Sequence, residues 1–160
     1  MMFVKYSGAA LLGAALFAGS AFADPAETVK AAGKDASWLF IQTAPTIKFD
    51  GKTLTLHNIN PSVVMFSDRP ARMAEAIPTA AFVKNWDNAA TKSFKSDPPD
   101  AGLTSIVDGK LQTATVELSH PQMDGTALRY DVRVVKGEVP ASGGPASLFM
   151  DQIHFGPGPF

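Results

Sequence analysis

Three Asp-Gly pairs, Asp50-Gly51, Asp108-Gly109 and Asp124-Gly125, punctuate runs rich in Val, Ile, Leu, Thr and Phe. They constrain the fold more than any other feature, because Asp-Gly readily supplies the positive φ that tight hairpins need. Thr46 to Phe49 and Lys52 to His57 flank the first pair and predict a hairpin with a two-residue type I′ turn. Ala101 to Val107 and Lys110 to Ser119 flank the second. Further on, Ala114, Val116 and Leu118 alternate with Thr113, Thr115 and Glu117, and Leu128, Tyr130, Val132 and Val134 alternate with Arg129, Asp131 and Arg133. A period of two is that of strands with one buried and one wet face.

The remaining segments extend this reading. Trp38 to Gln42 is a short apolar strand candidate bounded by Pro45. Val63, Val64, Met65 and Phe66 are apolar without alternation, the pattern of a strand covered on both faces. Ala80 to Ala90 carries Phe82, Val83 and Trp86 at helical spacing, with Thr79 as expected N-cap. Asp97-Pro98-Pro99-Asp100 is a segment that no helix or central strand crosses. In Ala146 to Ile153, Leu148 and Met150 oppose Phe149 and Asp151. Together these elements predict a mainly β fold, an antiparallel β-sandwich of Ig-like or jelly-roll-like type, with one short helix between its halves. A barrel is the alternative.

At the N-terminus, Lys5, the apolar run Gly8 to Gly19 and the small-x-small site Ala21-Phe22-Ala23 read as a signal peptide over residues 1–23. Residues 24–36 then read as a flexible leader, 37–153 as the β-sandwich domain and 154–160 as a flexible tail. The expected product is exported, periplasmic or secreted. No apolar run after Asp24 approaches the roughly 20 residues of a membrane-spanning helix. Zero Cys rules out disulfides and thiol chemistry, so burial must stabilise the fold unaided. Fourteen Lys and Arg against fifteen Asp and Glu, without a basic cluster, argue against a nucleic-acid surface.

The most distinctive string runs from Val63 to Arg72, where an apolar strand enters a proline-fixed turn. Ser67 and Asp68 suit turns that bond nearby backbone amides, and Arg69 and Arg72 present cationic forks to a carboxylate or phosphate. Ser67, Asp68, Arg69 and Arg72 are therefore candidate ligand or partner contacts. The competing reading makes them a rigid corner with no ligand. This string, with Phe82-Val83-x-x-Trp86, Phe94, Asp97-Pro98-Pro99-Asp100-Ala101 and Gly144-Pro145-Ala146-Ser147-Leu148-Phe149, resembles a group of small exported bacterial proteins of unassigned function sharing a Phe-Ser-Asp-Arg-Pro core. The resemblance runs from about Leu54 to Asp151 and implies a shared fold; it brings no activity with it.

For metal chemistry, His57, His120 and Met123 form the candidate set, because imidazole and thioether ligands suit copper. Their spacing is not that of a compact site: His57 ends a strand and His120 precedes Pro121 in an expected turn. Asp97, Asp100, Asp108 and Asp124 each lie beside Gly or Pro as turn formers, with no calcium-loop pattern. There is no Gly-x-Ser-x-Gly elbow. Glu27, Glu75, Glu117 and Glu138 are isolated rather than paired for glycoside hydrolysis. The reading that follows is an exported, non-enzymatic β module binding a protein or small ligand in the cell envelope, with a periplasmic copper carrier as the alternative.

Overall fold

The computed structural model describes residues 38–67, 72–87 and 94–152. The expected signal peptide, leader and tail lie outside them. The described elements are β1 (Trp38–Ala44), β2 (Thr46–Phe49), β3 (Thr53–His57), β4 (Ser62–Ser67), β5 (Ala74–Pro78), helix α1 (Thr79–Lys84), β6 (Asp100–Val107), β7 (Lys110–Asp124), β8 (Ala127–Gly137), β9 (Ser142–Gly143) and β10 (Ala146–Gln152). The mainly antiparallel β class and the single short helix among the described residues agree with the sequence. The two separate facing sheets expected of a sandwich are replaced by one sheet of ten strands, ordered β5-β4-β1-β10-β6-β7-β8-β3-β2-β9.

That linear order conceals a closure. The register that pairs Ala44 with Ala146 also pairs Ile47 with Gly143, so β1–β2 and β9–β10 act as two long bent strands, with Pro45 opposite Pro145 at the bend. β2 pairs with β3, β3 with β8, β8 with β7, β7 with β6 and β6 with β10, which returns to β1. The wall is thus a ring, the barrel solution to unpaired strand edges. The Gly144 N–H donates to the Ile106 carbonyl at 2.9 Å and the Ile106 N–H to the Pro145 carbonyl at 3.1 Å, continuing the β6 pairing through the bend. β4 and β5 hang from β1 outside the ring. β5 is the short sheet edge, and Pro78 at its end cannot donate to a further strand.

Local chemistry explains the connections. Asp108 and Gly109 have φ of 49° and 74° between the paired Val107 and Lys110, a two-residue turn with the positive φ at both centres that type I′ demands. The first Asp-Gly pair forms its hairpin differently. Only Gly51 has positive φ there, and the loop is held by Asp50 Oδ1, which accepts from Lys52 N–H at 2.9 Å and Thr53 N–H at 2.7 Å. Those donors, Thr53 first, lower the Asp50 pKa. The expected turn at His120-Pro121 is instead a bulge within β7: Ser119 pairs with Asp131 and Gln122 with Arg129, leaving one extra residue on β7, with His120 at φ 49°. The hairpin turn comes later, at Gly125-Thr126.

Inward side chains fill the ring, among them Trp38, Phe40, Leu54, Leu56, Leu103, Val116, Leu118, Tyr130, Leu148 and Met150, all at most 1% exposed. Helix α1 ends at Lys84, short of the expected Ala90, and packs against β4, β5 and β7. Thr79 does not cap it. The Thr79 hydroxyl donates to the Asn60 carbonyl at 2.7 Å, fastening α1 to the β3–β4 connection. Phe82 and Trp86 carry an aromatic cluster from Phe40 to Tyr130, with Phe94 packed on Trp86 at 4.5 Å between ring centres. The helix is a cover for the core, stabilised by aromatic burial rather than by its own length.

Candidate binding face

The Phe-Ser-Asp-Arg-Pro corner begins with a side chain turned inward. Ser67 is 6% exposed; its Oγ accepts from Met73 N–H at 3.0 Å while its own N–H donates to the Met73 carbonyl at 2.9 Å. These two bonds tie the end of β4 to the start of β5. Asp68 and Arg69 lie outside the described residues. Arg72 is exposed with φ of 49°, so the chain reverses there in the left-handed region. Ser67 thus acts as a fastener of the corner.

The copper set is dispersed. Leu56, Leu128 and Met123 stand in one cross-strand row through β3, β8 and β7, so His57, the next residue on β3, falls on the other face from Met123. His57 Nε2 is buried and has no hydrogen-bond partner among the described residues. His120 Nδ1 lies 3.3 Å from Asp131 Oδ2 on the bulge, with both side chains well exposed. No group of three His, Cys, Asp or Glu side chains suited to a metal ion occurs among the described residues. Ser119, beside His120, donates its hydroxyl to the Asp131 carbonyl at 3.3 Å, so the Ser, His and Asp types meet in sequence without a Ser–His bond. A shallow cleft of about 250 Å³ between α1 and the bulge is lined by Lys84, Trp86, Asp87, His120 and Gln122. Lys84, Asp87 and His120 share this lining, and Asp87 is itself 3.4 Å from Lys95.

A more coherent surface lies on the outside of the sheet. Cross-strand registers align Ala76, Val64, Ile41, Phe149 and Gly102 in one row across β5, β4, β1, β10 and β6. The next row is Ala74, Phe66, Leu39 and Asp151, with Asp100 and then Glu117 one register step beyond the β10–β6 pairs. Val64 is 43% and Phe149 46% exposed, while Leu39, Ile41 and Phe66 are half-buried between them. On the other side, Thr43, Ser147 and Thr104 form a hydroxyl row. A Cβ at Gly102 would meet nothing within 4 Å, so the backbone paired with Phe149 faces open space.

This face corrects the sequence reading of Val63 to Phe66. The run lacks alternation, yet only Val63 and Met65 point into the core; Val64 and Phe66 point outward. Apolar residues on both sides of a strand mean two covered faces only if something in the fold covers the second. Phe149 was legible as outward from its opposition to Leu148 and Met150, but its neighbours were not, because cross-strand register brings them together from distant segments.

At the acidic end of the second row, Arg133 grips Glu117: Nε donates to Oε1 at 3.1 Å and the guanidinium reaches Oε2 as well. That pairing lowers the Glu117 pKa and raises that of Arg133, with Asp100 adding to the latter. Asp100 and Asp151 have no ion pair within hydrogen-bonding range among the described residues. Comparison with family models, with characterised proteins and with solved structures finds no match for this chain.

Proposed function

We propose that the chain is an exported, non-enzymatic β module of the cell envelope that binds a polypeptide partner on the outer face of β4, β1 and β10. The observation that carries this reading is the contiguous row Val64, Ile41 and Phe149, apolar side chains brought together by register and exposed at both ends. An apolar stripe facing water has a free-energy cost that a bound partner removes, at about 25 cal/mol per Å² covered. Strand spacing and rise give the stripe an area of roughly 250 Å². A stable contact between two copies needs about 800 Å² on each side, so the stripe suits one extended segment better than a second copy. The export reading rests on residues 1–23.

The test is photo-cross-linking from the face in the exported chain. A photoreactive phenylalanine analogue replacing Phe149 or Val64 is expected to yield a discrete polypeptide adduct, and one replacing Leu111, 65% exposed away from the stripe, to yield none. Gly102→Val, which raises a branched side chain from the face beside Phe149, is expected to abolish the adduct while preserving the fold, because valine suits a strand with open space at that point. Indistinguishable labelling from all three positions, or none from Phe149 and Val64, overturns the proposal.

A further inference from the structure

The second row of the face changes character along its length. Ala74, Phe66 and Leu39 are followed directly by Asp151, which is paired across from Leu39, and then by Asp100. Apolar side chains and two carboxylates thus share one line across adjacent strands, on one face, with neighbours about 5 Å apart. The first row has no such charge until Lys136, reached only beyond Gly102 and Thr115. Glu117, the next carboxylate after Asp100, is held by Arg133. The negative charge without a direct ion pair therefore belongs to Asp151 and Asp100, at the border of the apolar stripe, with Asp100 also in the field of Arg133.

We infer that the segment bound on this face is cationic at one end, an extended polypeptide that lies across the strands with apolar side chains over Leu39, Ile41, Val64, Phe66 and Phe149 and with lysine or arginine over Asp151 and Asp100. This rests on the binding face proposed above and adds its chemistry and direction. A segment crossing from β4 to β6 meets the apolar side chains first and the carboxylates last, whereas a reversed segment would set its cations against Phe66 and Ala74. Two carboxylates on adjacent strands attract a cation and repel an anionic partner, which gives specificity as well as affinity. Arg133 bounds the site, since it would repel a cation placed one strand too far.

The test uses the exported chain, isotopically labelled, and two synthetic peptides with the same apolar half, one ending in lysines and the other in glutamates. Amide shifts in β4, β1 and β10 should report the lysine peptide binding at least about tenfold more tightly than the glutamate peptide at low salt, with the gap narrowing as salt rises. Replacing both Asp151→Lys and Asp100→Lys should reverse the preference; Asp151 is exposed and Asp100 stands at the start of β6, so the core is untouched. Equal binding of the two peptides, or a preference for the glutamate peptide, overturns the cationic inference while leaving the apolar face in place. Failure of both peptides to bind, or binding unaffected by Gly102→Val and Phe149→Ser, overturns the face itself.

Discussion

The Tyr130 hydroxyl donates to Gln42 Oε1 at 2.9 Å inside the ring, joining β8 to β1 across 88 residues of chain. Both residues are at most 1% exposed, and the Gln42 Nε2 has no partner among the described residues. One hydrogen bond therefore joins two buried polar side chains, in a core whose other buried polar residues among those described are Ser67, Thr79 and Ser105.

Tyr130→Phe removes the donor and leaves the Gln42 amide wholly unpaired, which should cost about 1–3 kcal/mol. Combining it with Gln42→Leu removes both orphaned ends and should recover most of that loss. Urea denaturation of the two single variants and the double variant checks this through the coupling energy. A double variant as unstable as the sum of the singles would show that the bond contributes nothing beyond packing.

Alkaline pH should act on the same phenol. Burial pushes the Tyr130 pKa well above its ordinary value of 10.0, with the Gln42 hydrogen bond only partly opposing the shift. The unfolded chain loses this proton near the ordinary value while the folded chain keeps it, so stability is fully present below that pH and declines as pH rises above it. In a chain beginning at Asp24, Tyr130 is the sole tyrosine, so phenolate absorbance reports on it alone. The expected result is no phenolate signal until unfolding, with both transitions coinciding. A separate phenolate step in the folded protein would contradict the burial.

Two glycines of the sheet should respond oppositely to alanine. Gly144 has φ of 142°, and a Cβ there would overlap the Pro45 carbonyl oxygen and crowd Thr46 Cα, because the two bent strands touch at that point. Gly144→Ala should cost more than about 3 kcal/mol or prevent folding. Gly102→Ala meets open space and should be neutral or stabilising by up to about 1 kcal/mol. Thermal melts of the two variants side by side distinguish a forced approach of backbones from a glycine facing open space.

Much of the strand inventory was readable because alternation and turn chemistry are local. Hairpins form around Asp50-Gly51, Asp108-Gly109 and Asp124-Gly125, the first held by the Asp50 carboxylate in place of the expected type I′ turn, and Leu148 and Met150 face inward as expected. β5 escaped notice because Ala74 to Pro78 has too few β-branched residues to signal a strand; pairing with β4 makes it one. His120-Pro121 looked like a turn because a proline interrupts the pattern, and the bulge is how β7 accommodates it without ending. The candidate site was less legible. Ser67 was found and its partner Met73 was not, since a bond across a reversing corner leaves no periodic trace.

Local residue chemistry by itself settled that this chain makes strands, where most of them turn, and which side chains of β7, β10 and the first half of β8 face inward; Val134, expected on the buried face, is 40% exposed because β8 runs on past the core. Turn preference and a period of two act over a few residues, and no distant contact is needed to express them. Only the tertiary structure decided that β1 with β2 and β9 with β10 bend together at Pro45 and Pro145, closing a ring in place of two sheets. It alone also set Val64, Ile41, Phe149 and Gly102 side by side. Closure and cross-strand neighbourhood depend on pairing between remote segments, and burial inside the ring stabilises that pairing collectively, not residue by residue.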